Sequence, residues 1–229
     1  MQYGPPQILT CPHCGTKKQI LSILSGNTFG AVFWSDNRCY APMMDHVSYV
    51  QRCPGCGMYY ILSRQEPVFA DGDTCHHRGE LSYSQMKEAF AQLSGESFLD
   101  NMEEAQVRML LHHTYNDYHY RHHPDYSLED DFLLAYKYYA EVYHRNNLPP
   151  VPIAAADHDL FVENARWLID NFIYDDVLKA EFCREIGDME RATALLDSAK
   201  IEDDFVRDLV AEIRKRIAAG DCAVFKFEE

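Results

Sequence analysis

Two stretches, Cys11-Pro12-His13-Cys14-Gly15 and Cys53-Pro54-Gly55-Cys56-Gly57, decide the reading of this chain. Each places Pro after the first cysteine and Gly after the second. Two residues between cysteines let both sulfurs of a tight turn face one ion, and the trailing Gly15 or Gly57 can take φ > 0, which turns backbone N–H groups toward the thiolates. Four thiolates at about 2.3 Å make a closed tetrahedral shell that suits zinc and leaves no position for a substrate water, so the site reads as structural. Iron is the second candidate for the same thiolate cage. The 38 residues between Cys14 and Cys53 exceed the ~15 to 20 of short fingers, but a multi-stranded insert can bring its ends together.

Outward from the knuckles, the first 80 residues hold short apolar runs punctuated by Gly, Pro, Asn and Asp: Gln19 to Leu24, Thr28 to Trp34 and Met58 to Leu62. These predict short strands, with Gly26-Asn27 and Asp36-Asn37 as turns of a β-meander. Beyond Ser82 the period becomes helical, with helices expected near 84–94, 101–121, 127–146, 157–173, 175–187, 188–200 and 203–219. Charge changes at the same place. Residues 1–80 hold 6 Lys/Arg and 6 Asp/Glu, whereas residues 81–229 hold 15 and 30, so the whole net charge of -15 belongs to the second part. The expected organisation is α+β, with a β-module over 1–80 and an acidic helical domain over 81–229.

The first part resembles a zinc ribbon with rubredoxin-like knuckles, on the motif residues Cys11, Cys14, Cys53 and Cys56. The resemblance implies a zinc-stapled β-ribbon over residues 8–65. In the second part, Val177 to Ile201 reads as two helices divided by Gly187-Asp188, with Gly187 ending the first and Asp188 capping the second. The first is expected to bury Leu178, Phe182 and Ile186, and the second Met189, Ala192, Leu195, Leu196 and Ala199. This hairpin looks like one tetratricopeptide repeat: Ala180, Gly187, Ala192, Leu196 and Ala199 match that family's offsets. It departs at Asp176 and Lys179, where the family has an aromatic and a Leu, and it lacks the closing Pro. A ribbon followed by such helices is similar to uncharacterised bacterial proteins, which implies an interaction role and supplies no activity.

Composition excludes several classes. A 229-residue chain with 47% hydrophobic and 25% charged residues is that of a folded domain rather than a disordered one. No run approaches the ~20 apolar residues of a membrane span. Met1 to Thr10 has neither the basic nor the apolar region of a secretory signal, so the expected compartment is the cytoplasm, where paired cysteines favour metal over disulfides. An acidic second part and a balanced first part argue against nucleic acid and for a protein or basic peptide partner. Eleven histidines include Cys75-His76-His77 and the cluster His112, His113, His119, His122 and His123. On a helix His112, Asn116, His119 and His123 share a face, and His113 pairs with Asp117. Against the leading expectation of a non-enzymatic scaffold, a metal-dependent enzyme using helix 101–121 is the second expectation, although no HExxH, phosphate loop or nucleophile elbow accompanies it, and a nucleic-acid-associated zinc ribbon is the third. The paired aspartates Asp130-Asp131, Asp175-Asp176 and Asp203-Asp204 read as helix caps. The remaining cysteines, Cys39, Cys75, Cys183 and Cys222, read as buried or incidental thiols.

Overall fold

The computed structural model describes residues 2–29, 31–41, 44, 46–66, 68–71, 79, 81–119 and 154–227, with residues 32, 40, 118 and 119 described by their backbone. The expected helix at 127–146, Cys75-His76-His77, His122, His123 and Asp130-Asp131 lie outside these residues. The fold is α+β, with small β-sheets followed by helices. The strands are β1 (Gln2–Tyr3), β2 (Gln7–Thr10), β3 (Lys17–Ile20), β4 (Ile23–Ser25), β5 (Val32–Trp34), β6 (Cys39–Tyr40), β7 (Val50–Arg52), β8 (Tyr59–Ile61), β9 (Val68–Phe69) and, near the C-terminus, β10 (Lys226–Phe227). The helices are α1 (Tyr83–Glu96), α2 (Asn101–His119), α3 (Ala155–Asn171), α4 (Asp176–Glu185), α5 (Met189–Ser198) and α6 (Asp204–Ala219).

The chain divides into two compact units that interleave in sequence: Met1–Ala31 with Ala41–Thr114, and Val32–Tyr40 with Tyr115–Glu229. Residue 80, where composition and charge change, falls inside the first unit.

In the first unit β2 pairs antiparallel with β3 and β9, β7 with β8, and β1 with β4. The β-meander expected over residues 19–34 does not form. The run Gln19–Leu24 breaks after Ile20, so its two ends join different sheets, and Gly26-Asn27 does not connect paired strands. Helix α1 begins with a capping box: Gln85 N–H bonds Ser82 Oγ, and Gln85 Oε1 accepts from Ser82 N–H. It buries Tyr83, Met86, Ala89 and Leu93 along one stripe and packs on β8. Helix α2 starts at Asp100, whose Oδ1 accepts from Glu103 N–H, and Glu103 in turn holds Arg64 through bonds of 2.8 and 2.5 Å.

In the second unit β5 pairs with both β6 and β10. The turn Ser35–Arg38 joins β5 to β6, with Asn37 at φ 64, so the expected Asp36-Asn37 turn is present. Helices α4 and α5 pack as the expected hairpin. Gly187 ends α4 at φ 80, with Asp188 N–H bonding Cys183 O and Gly187 N–H bonding Arg184 O, a Schellman ending. Asp188 caps α5, Asp175 caps α4 and Asp203 caps α6. The burial expected of α4 requires correction. Phe182 is buried, but Leu178 and Ile186 are only half-buried, and α4 is enclosed around Val177, Ala180, Glu181, Cys183, Arg184 and Glu185. In α5, Ala192 and Leu196 are buried whereas Met189, Leu195 and Ala199 are half-buried. The polar residues of α4 are accommodated because they bond one another: Arg184 clasps Glu181 at 2.8 and 2.5 Å.

Candidate metal centre

The two cysteine knuckles are the turns of two hairpins. Thr10 pairs with Lys17 at the mouth of the first and Arg52 with Tyr59 at the mouth of the second. Their backbones repeat one pattern. Cys11 N–H bonds Thr16 O and Gly15 N–H bonds Cys11 O; Cys53 N–H bonds Met58 O and Gly57 N–H bonds Cys53 O. Gly15 and Gly57 sit at φ 74 and 77, the left-handed region that favours glycine at the end of each knuckle. The N–H groups of Gly55 and Cys56 point at Cys53 Sγ from 3.3 and 3.5 Å.

The four sulfurs of Cys11, Cys14, Cys53 and Cys56 lie within 4.8 Å of one another. Across the hairpins Cys11 Sγ is 3.7 Å from Cys56 Sγ, and Cys14 Sγ is 3.6 Å from Cys53 Sγ. Bonded sulfurs would stand at about 2.05 Å, so these are not disulfides. A tetrahedron with metal–sulfur bonds of about 2.3 Å has edges near 3.8 Å, and both cross-hairpin pairs match that length. The donor set and its spacing therefore fit one tetrahedral metal ion, and among the described residues no other group of three or more His, Cys, Asp or Glu does.

The first cysteine of each knuckle is buried and the second exposed. Cys11 and Cys53 join Leu9, Ile20 and Tyr60 in a core cluster beneath the site, so the ligand set is continuous with the hydrophobic packing of both hairpins. The thiols influence one another strongly. Burial pushes Cys53 up, but the Cys56 and Gly55 N–H groups and the Cys11 and Cys14 thiols outweigh it and bring Cys53 down to about 6. The bond from Met58 pulls Cys56 down, yet burial and the three neighbouring sulfurs push it up to about 12. The hydrogen bonds among the four sulfurs thus favour the thiolate at Cys53 and the thiol at Cys56, and Cys11, Cys14, Cys53 and Cys56 would all have to be deprotonated to hold a divalent cation.

The knuckles are tied to each other and to α1 by side chains between them. Lys18 Nζ donates to Arg52 O at 3.2 Å, and His13 Nε2 lies 3.2 Å from Tyr59 O. Gly55 approaches Thr16 so closely that an added Cβ would stand 2.3 Å from its hydroxyl oxygen. Tyr59, three residues after Cys56, is gripped by α1 at three atoms. Its N–H donates to Gln92 Oε1 at 3.0 Å, its carbonyl accepts from Gln92 Nε2 at 2.9 Å, and its hydroxyl donates to Glu88 at 2.8 Å. Gln92 thus does for β8 what a neighbouring strand would do, and that interaction could not be anticipated from the glutamine's place in a helical pattern.

The histidine-bearing helix has a different character. His112 is buried, and its ring meets that of His113 edge-on at 6.3 Å. Asn116 donates to both Asp36 and Glu185 at 3.0 Å, and Asp117 pairs with Arg38, where the spacing in α2 suggested His113. Burial, with Glu181 and Asp36 nearby, raises Glu185 well above the usual carboxylate range. Cys183 is buried and Cys39 and Cys222 half-buried, as incidental thiols would be.

No family model matches this chain, and no curated protein and no solved structure matches it. Among the described residues no helix is long and apolar enough to cross a membrane.

Proposed function

We propose that the chain is a zinc-stapled, non-enzymatic scaffold or adaptor, in which Cys11, Cys14, Cys53 and Cys56 hold one structural zinc and the helical part recognises a protein or peptide. The observation that carries the reading is the four-sulfur cluster with cross-hairpin edges of 3.6 and 3.7 Å. Zinc is proposed over iron as the redox-inert ion of closed structural four-cysteine shells, although the same thiolate cage accepts either. The proposed division of labour is a metal-dependent ribbon within residues 1–80 and a recognising helical part within 81–229, with α1 bracing the ribbon through Tyr59. A thiolate metal site is compatible with a reducing compartment, and the cytoplasm is the compartment this reading proposes. The excess of 30 acidic over 15 basic residues beyond residue 80 favours a basic or amphipathic peptide on the outer helical surface.

The decisive experiment is metal analysis with visible absorption, on the wild-type chain and on Cys53→Ser. One zinc per chain, lost in the variant together with the ribbon's share of the melting transition, is the expected result. Full zinc in the variant refutes the ligand set, and iron with thiolate charge-transfer colour refutes the choice of metal. A peptide array read at two salt concentrations tests the partner: enrichment of Lys/Arg that fades with salt supports it, and preference for acidic or nucleic-acid ligands overturns it.

A further inference from the structure

Residues 221–227 follow α6 and are held by the helical unit largely through the backbone, bending at Ala223, whose N–H bonds Asp221 Oδ1, before they become β10. Arg184, with no exposed surface, donates from Nη1 to Asp221 O at 2.5 Å and from Nη2 to Ala223 O at 2.9 Å. Ser35 N–H donates to Phe225 O at 2.9 Å, and Phe225 N–H donates to Ser35 Oγ at 3.1 Å. Beyond that point Lys226 and Phe227 pair with Trp34 and Phe33 as β10 against β5. Three side chains complete the fit. Phe225 is only 5% exposed, with the Arg216 guanidinium 4.2 Å and the Arg184 guanidinium 5.4 Å from its ring centre. Asp221 accepts from Arg216 at 2.5 Å, and Phe227 meets the Phe205 ring edge-on at 4.7 Å.

This pattern is related to strand addition: main-chain bonds hold a segment that ends as a paired strand, and one buried aromatic anchors it. We propose that the groove formed by α4, α6 and β5 is a peptide-binding site which the chain's own residues 221–227 fill in cis. Its partner is a segment with a carboxylate four residues before a buried aromatic and a second aromatic two residues after it. The carboxylate and rings answer Arg216, Arg184 and Phe205, and main-chain bonds at residues 221, 223 and 225 add a hold that does not depend on side-chain identity. The occupant in place shows the chemistry the groove accepts: two guanidiniums face it, Arg184 and Arg216, each also held by a carboxylate, Glu181 and Glu212. A tethered segment competes at an effective concentration on the order of mM, so a partner in trans binds measurably only when the cis segment is weakened.

The proposal rests on the scaffold reading and is tested on full-length chains. A fluorescent peptide with the sequence of residues 220–229, bearing Ser for Cys222, is titrated against the wild type and Phe225→Ala. Binding at least tenfold tighter to the variant, and lost when the peptide itself carries Ala at the Phe225 position, is the expected result. Equal binding to both chains, or equal binding of the Ala-bearing peptide, overturns it. Phe227→Ala, altering a half-buried ring, carries the same test with a gain of about threefold should Phe225→Ala fail to fold. Dimers that exchange the segment between copies would make a second copy the occupant and overturn the peptide assignment. Zinc content of the same samples separates the two readings: a metal-loaded chain that ignores the peptide refutes the groove alone, and a metal-free one refutes the scaffold.

Discussion

Gly55→Ala tests how the two knuckles fit together, without reference to which metal they hold. An ideal Cβ at position 55 would lie 2.3 Å from Thr16 Oγ1, 3.1 Å from its Cβ and 3.2 Å from its Cγ2. Turning the Thr16 side chain gives limited relief, because its own Cβ stays 3.1 Å from the intruder and rotation gives up the 3.2 Å bond between its hydroxyl and Cys14 Sγ. Backbone movement is resisted as well, since Thr16 O accepts from Cys11 N–H and the sulfurs of the two hairpins must stay within 4.8 Å. Overpacking of this kind costs about 1–3 kcal/mol. At about 4–8 °C per kcal/mol for a domain near 100 residues, the melting temperature should fall by at least ~4 °C. The assay is thermal unfolding of Gly55→Ala, Thr16→Gly and the double variant, with metal content checked in each. Removing the threonine side chain should restore space for the methyl group, so the cycle should show a favourable coupling of at least about 1 kcal/mol. A Gly55→Ala chain that melts with the wild type, or one that loses as much stability in the Thr16→Gly background, would refute the close approach.

Gln92→Ala should cost about 1–3 kcal/mol by stranding the Tyr59 N–H, and hydrogen exchange at the Tyr59 amide should accelerate; unchanged protection there would contradict the bracing of β8 by α1. Arg64 holds the Glu103 carboxyl below the usual carboxylate range against the opposing effect of burial. Because that value is depressed on folding, the stabilisation is present above the unfolded value of about 4.3 and disappears as pH falls through the folded one. Arg64→Met should therefore destabilise by about 1.5–3 kcal/mol at neutral pH and flatten the acid limb of the stability curve. Equal acid sensitivity in variant and wild type would argue against the pair.

The local signals were legible from the residues alone. Cys-Pro-x-Cys-Gly names its own turn, since the sulfur spacing and the left-handed glycine are decided within five residues, and the structure brings the two copies together. Helix limits were readable for a similar reason. Asp175, Asp188 and Asp203 satisfy the first N–H groups of their helices from a fixed offset, whatever the helices later pack against. The α+β order also follows, because a change of hydrophobic period from two to about 3.6 is a property of consecutive residues.

Strand pairing was decided elsewhere. The run Gln19–Leu24 is one apolar stretch, yet its ends serve two sheets, and β5 finds one of its partners in Lys226–Phe227, nearly the whole chain away. No local pattern encodes such a pairing, since two strands of similar polarity compete equally until side-chain packing selects between them. Burial of α4 was hidden for the same reason. A helix containing Glu181, Arg184 and Glu185 reads as half-solvated, and only the tertiary structure supplies Asn116 and the carbonyls of residues 221 and 223 that make their burial tolerable. The sequence by itself thus determined the two cysteine knuckles, the caps and the class of fold, which rest on short-range geometry. Which distant polar groups meet, and so which buried charges are satisfied, was decided only when the chain closed on itself.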